Sequence, residues 1–157
     1  MEVHVFILST MSPEMMATVM RTAHIDVGTE VGIRRFRWKR PTSAGIVVSV
    51  WIACQGPLVN ELLKSTVPYM DACLCVYHDH DALSCLKVRK AISLLESLND
   101  AIWLMSTDVP KQRIRHKSRI KKFYNKDGFE RPLLTGTLSE NIEQLLKVDL
   151  KVLKQSY

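Results

Sequence analysis

The residues Ala72 to Tyr77 (Ala-Cys-Leu-Cys-Val-Tyr) put apolar side chains on both faces of an extended chain. A strand facing water on one side would alternate, so this one must be covered on both sides. A polar turn follows at once, His78-Asp79-His80-Asp81, and the period then becomes helical. Asp81 can cap a helix whose apolar positions are Leu83, Leu86, Ala91, Ile92, Leu94, Leu95 and Leu98. A buried strand, a tight turn and an amphipathic helix make half of a βαβ unit, which points to a parallel sheet with helices against it. In such sheets the chemistry gathers beyond the carboxyl ends of the strands, so the turns after the strands are where function is sought.

The rest of the chain repeats this alternation. Val3 to Leu8 is a β-rich apolar run suited to a central strand, and Ser12-Pro13-Glu14 is a helix start of cap, proline and acid. Met15, Met16, Val19 and Met20 form the stripe of that helix, a pattern that usually means core packing. Val31 to Lys39 and Ile46 to Ile52 read as a hairpin around the turn at residues 40–45. A short helix begins near Leu58, and Ala101 to Met105 makes a further strand. The basic segment 111–126 is expected to hold a helix with Ile120, Phe123 and Tyr124 inward. Pro132 to Leu134 is a short last strand, and Ser139 is the expected cap of a last helix carrying Ile142, Leu145 and Leu146. The fold class is therefore α/β: a six-stranded mixed sheet with one antiparallel hairpin and helices on both faces, a single domain over residues 1–157.

Composition narrows the functional classes. A net charge of +6 with a pI near 9.3 admits acidic partners without requiring them. The cysteines at 73 and 75 lie in the buried strand and look like reduced thiols. No apolar run is long enough to cross a bilayer, and no leader pattern or lipidation cysteine is seen. A cytoplasmic protein is expected, with the nucleus as the alternative and no membrane anchor of its own. Cys73, Cys75, His78, Asp79, His80 and Asp81 can be drawn as a metal site, but they lack a second CxxC or HxxxH spacing. A buried strand followed by a capped turn is the commoner arrangement, so neither metal nor cofactor is expected.

In its order of elements the chain resembles the Ras superfamily of small GTPases, Rab-type members in particular. The matching residues are Val50-Trp51, the segment Tyr69 to Ser84, Ile120 to Phe123, and Asn141 to Leu146. The resemblance implies a sheet ordered second, third, first, fourth, fifth, sixth strand, with only the second antiparallel. It also shows what is missing. That family wraps phosphates with a glycine-rich loop, a lysine and a hydroxyl for Mg²⁺. Here the loop is Ser9-Thr10-Met11-Ser12-Pro13-Glu14-Met15-Met16, and Ile52 stands where the family has its magnesium-binding Asp. The family's water-orienting Gln falls on Gly56, beside Gln55. Its Asn-Lys-x-Asp becomes Met105-Ser106-Thr107-Asp108, and its Ser-Ala-Lys loop becomes Thr135-Gly136-Thr137. The resemblance implies that Asp108, Thr135, Gly136 and Thr137 are the vestige of a nucleotide site.

The expected function is therefore a pseudo-GTPase, not an enzyme, holding no stable GTP or Mg²⁺ and kept as a protein-interaction module. Partners of that family dock on the hairpin, which here offers Ile33, Phe36 and Trp38. Trp38, beside Lys39 and Arg40, is the expected exposed anchor, while Trp51 is expected to fill core. The alternatives are a weak guanine-nucleotide binder or a nucleic-acid-binding protein using residues 111–126. On a continuous helix Arg115, Arg119 and Lys122 of that segment would share one face.

Overall fold

The computed structural model describes residues 2–28, 32–38, 47–54, 60–78, 81–107, 133–134 and 136–155. In these, β1 (Glu2–Ser9), α1 (Pro13–Thr22), β2 (Gly32–Trp38), β3 (Val47–Cys54) and α2 (Asn60–Thr66) come first. A 3-10 turn (Val67–Tyr69), β4 (Ala72–Tyr77), α3 (Ala82–Glu96), β5 (Ile102–Ser106), β6 (Leu133–Leu134) and α4 (Leu138–Gln155) complete the order. The strands form one sheet, β2-β3-β1-β4-β5-β6, in which β2 and β3 are antiparallel and the other pairs parallel. This is the expected strand order, with Val3 to Leu8 at the centre. The helix expected in residues 111–126 lies outside the described residues.

The pleat explains the two cores. In β1, Val5 and Ile7 face one way and Phe6 and Leu8 the other; in β4, Leu74 and Val76 oppose Cys73, Cys75 and Tyr77. The first set packs with Met16 and Met20 of α1 and with Leu138, Ile142, Leu145 and Leu146 of α4. The second packs with Leu63 of α2 and with Cys85, Val88, Ile92 and Leu95 of α3. Helices thus cover both faces, and each large apolar side chain removed from water contributes about 1.5–3 kcal/mol.

Helix starts follow their caps. The Ser12 hydroxyl accepts the Met15 N–H, and Asp81 accepts the Leu83 N–H at 2.9 Å. The last helix starts earlier than expected. Thr137, not Ser139, is its cap: the Thr137 hydroxyl accepts the Glu140 N–H at 3.2 Å, in the spacing Thr-x-x-Glu of a capping box. The inward face of α3 also differs from the expected one. Leu83 and Leu86 are 57 % and 50 % exposed, because the face against β4 and β5 is Cys85, Val88, Ile92 and Leu95, a cleaner three-four-three spacing.

Two polar side chains hold the strand entries. Asp71 accepts the His4 N–H at 2.7 Å while its own N–H donates to the His4 carbonyl, which starts β4 in register on β1. Asn99 donates to the carbonyls of Val67 (3.1 Å) and Met70 (2.8 Å) and accepts the Ala101 N–H, so the leads into β4 and β5 share one clamp. Burial pushes the Cys73 thiol up to about 12. A thiol-alkylating reagent at neutral pH is therefore expected to leave Cys73 unlabelled in the native protein and label it in denaturant, as read by peptide mass spectrometry. Rapid native labelling would show that this strand opens.

Candidate functional site

The crevice of a doubly wound sheet lies where neighbouring strands send their chains to opposite faces. Here that point is between β1, which leads into α1, and β4, which leads into α3 on the other face. Among the described residues, side chains of the chain itself bond across this point. Only Thr10, Met11 and Ser12 separate β1 from α1. The Thr10 hydroxyl donates to the Ser84 carbonyl at 3.0 Å and lies 2.9 Å from the Ser84 hydroxyl. Thr10 has one hydroxyl proton and spends it on the carbonyl, so the second bond runs from Ser84 to Thr10. Ser84, 1 % exposed, also accepts the His78 N–H at 3.0 Å. This ring of bonds ties the turn after β1 to the turn after β4.

The neighbouring turn after β5 is joined as well. Thr107 donates its N–H and its hydroxyl to the Tyr77 carbonyl (3.1 and 3.3 Å), and its hydroxyl lies 3.5 Å from the Met11 sulfur. Met11 is buried. Four N–H groups of the turn between β1 and α1 and of the first turn of α1 are committed within the chain. Thr10 donates to the Val76 carbonyl, Met11 to the Ser9 hydroxyl, Met15 to the Ser12 hydroxyl and Met16 to the Ser12 carbonyl. Pro13 has no N–H.

Ile52 is 0 % exposed in the first core and offers no oxygen to a cation. Gly136 and Thr137 are taken up by α4: the Asn141 side chain accepts the Gly136 N–H (3.1 Å) and donates to its carbonyl (3.0 Å), and Thr137 is the cap. Asp108 and Thr135 lie outside the described residues, as do Gln55, Gly56, Asp79, His80 and the basic residues Arg115, Arg119 and Lys122. Among the described residues no three His, Cys, Asp or Glu side chains converge to hold a metal ion. No helix among them is long and apolar enough to cross a membrane.

On the hairpin, one expectation is corrected. Trp38 is 7 % exposed and belongs to the first core, so it is not an exposed anchor. The register explains this: Trp38 sits opposite Val48 and Phe36 opposite Val50, and Val48 and Val50 point into that core. Phe36 packs partly against the first core under the Arg34 guanidinium, 5.1 Å from the ring centre, while Ile33 packs partly against the second. Trp51, expected to fill core, is half-buried and packs against the second core from its edge.

The same pleat assembles a polar cluster that sequence reasoning missed. Glu2 and His4 of β1, Ser49 and Trp51 of β3, and Arg35 of β2 meet over three adjacent strands. Arg35 donates to the Ser49 hydroxyl from Nε (3.1 Å) and Nη2 (3.0 Å) and to Glu2 Oε1. The Ser49 hydroxyl donates to the same carboxylate oxygen at 2.7 Å. The Trp51 indole N–H donates to His4 Nδ1 at 3.0 Å, so a neutral His4 carries its proton on Nε2, which lies 3.9 Å from Glu2 Oε2. The Arg35 guanidinium stands 5.3 Å from the Trp51 ring centre. The Ser49 hydrogen bond foremost, then the Arg35 charge and hydrogen bond, hold the Glu2 carboxyl below its ordinary range, against the desolvation that raises it. The cluster thus holds the Glu2 carboxylate with donors from two neighbouring strands.

Neither a scan of protein-family models nor a search of curated proteins gives a match to this chain. Its function is therefore argued from the two sites alone.

Proposed function

We propose that this chain is a non-hydrolysing protein-interaction module on a fold resembling that of small GTPases. The single observation that supports this reading is the Thr10–Ser84 pair, which ties shut the crevice where such a fold would hold a nucleotide. Phosphoryl transfer depends on donors and cations placed around the phosphates. In their place this loop has a buried methionine, a proline and a glutamate whose charge repels phosphate. Among the described residues, the hairpin offers interface chemistry through Ile33, Phe36, Arg35 and Arg37.

Titration of the full chain with GTP, GDP or ATP plus Mg²⁺, followed by calorimetry, is expected to give no saturable heat in the micromolar range. Saturable binding, or GTP turnover above a buffer control, would overturn the proposal.

A further inference from the structure

We propose that His4 is a proton-operated latch on the Trp51 indole: the neutral ring holds the indole, and the protonated ring releases it and turns to Glu2. The proposal goes beyond the module reading and does not depend on it. A neutral imidazole has one acceptor nitrogen, and an indole N–H can only donate. His4 commits its acceptor, Nδ1, to the Trp51 N–H at 3.0 Å. Protonation places a hydrogen on that same nitrogen, so two donors then face each other. The charged ring has no acceptor left on either side, and the bond has to break.

The surroundings supply the second position. Arg35 and Ser49 bond Oε1 of Glu2, while Oε2 lies 3.9 Å from His4 Nε2. A charged ring is drawn to that oxygen, and a small movement of the ring toward it makes a charge-assisted bond. The other charged groups around His4 come from three elements. Strand β2 brings Arg35 and, opposite Ser49, Arg37. The entry to β4 brings Asp71, whose carboxylate is committed to the His4 backbone N–H at 2.7 Å. The α2 helix and the 3-10 turn after it carry Glu61, Lys64 and Tyr69, all exposed. Strand β3 adds only the neutral Ser49 and Trp51.

Histidine is the side chain whose ordinary charge change falls between pH 5 and 8. Across that window the Glu2 carboxyl stays ionised, because its neighbours hold it below the usual carboxylate range. Release does not strand a polar group: the His4 side chain is 28 % exposed and Trp51 is half-buried, so water reaches both. The sheet itself is held by backbone bonds that neither side chain supplies. The Arg35 guanidinium, 5.3 Å from the Trp51 ring centre and bonded to Glu2, touches both ends of the change. One proton on His4 thus gives this face of β1, β2 and β3 two surfaces, with the indole N–H held in one and presented in the other.

The test is an NMR titration of the full chain from about pH 8 to about pH 5, with the tryptophan indole and histidine ring nuclei labelled. The Trp51 indole N–H is expected to move with the same midpoint as the His4 ring and to exchange faster with water on the acid side. The indoles of Trp38 and Trp103, both buried, are expected to stay fixed. In His4→Gln the side-chain amide oxygen accepts the indole N–H at every pH, so the Trp51 resonance should become flat. In Glu2→Gln the charged ring loses its anion, and the shared midpoint should fall by about half a pH unit. A Trp51 indole that stays fixed while His4 titrates would overturn the proposal. So would a pH-dependent Trp51 resonance in His4→Gln, or a midpoint that is unmoved or raised in Glu2→Gln. If the methyl resonances of Val5 and Ile7 shift along with the indole, acid loosens the sheet as a whole and the latch is likewise lost. Nucleotide binding with Mg²⁺ would remove the module reading and leave the latch standing.

Discussion

An Ile52→Asp variant is expected to lose the cooperative fold and to gain no magnesium site. The substitution writes in the carboxylate that a GTPase-like reading asks for at the end of β3. Ile52, however, lies in the sheet between Ile7 of β1 and Arg34 of β2, and its side chain is fully buried in the first core. An unpaired carboxylate there costs at least ~4 kcal/mol, a large share of the roughly 5–15 kcal/mol that holds a domain together. Arg34 stands directly opposite and is the natural rescuer. Its guanidinium is already committed to the Val27 carbonyl at 2.6 Å and lies over Phe36, so turning it inward would give up both contacts. The control is Ile52→Val, expected to cost only about 0.5–1.5 kcal/mol. Urea denaturation with and without Mg²⁺ reads both. A cooperative Ile52→Asp protein whose midpoint rises with Mg²⁺ would mean that this strand end opens to a cation, and the closed-crevice reading would fail.

The sheet was legible because its central strands announce themselves. Val3 to Leu8 and Ala72 to Tyr77 are apolar on both faces, and only a doubly covered strand tolerates that. Ser12 and Asp81 were legible as caps because their partners lie within three residues. What escaped was of two kinds. Some patterns supported two faces at once: α3 has leucines at 83 and 86 as well as an apolar row at 85, 88, 92 and 95, and composition does not choose between them. Trp38 was misplaced because its exposure depends on which pleat parity faces the core, and that is set by pairing with β3. Other features join residues far apart in sequence. Thr10 and Ser84 are 74 positions apart and Glu2 and Ser49 are 47, so no local pattern marks either pair. Both candidate sites belong to this second kind.

Removing the bonds that close the crevice is expected to cost stability without creating a nucleotide site. Ser84→Ala takes away the acceptor of the His78 N–H and the donor to Thr10, at a part-buried junction where Ser84 itself is 1 % exposed. A loss of about 1–3 kcal/mol follows from leaving buried partners unsatisfied. Thr10→Val keeps the shape and removes the hydroxyl, so the Ser84 carbonyl loses its donor and the Ser84 proton its acceptor, with a cost in the same range. Because the two side chains bond each other, the double variant should lose less than the sum, leaving a coupling of about 0.5–3 kcal/mol in the cycle. Additive losses would mean that the two turns are held independently, and the tie across the switch point would not be real. Nucleotide titration of the double variant completes the argument. With Met11 and Pro13 still in the loop and no lysine to meet a phosphate, loosening the crevice should not make it bind. Saturable binding in that variant alone would show that the Thr10–Ser84 pair is the bar to nucleotide entry, and that the composition of the loop is not.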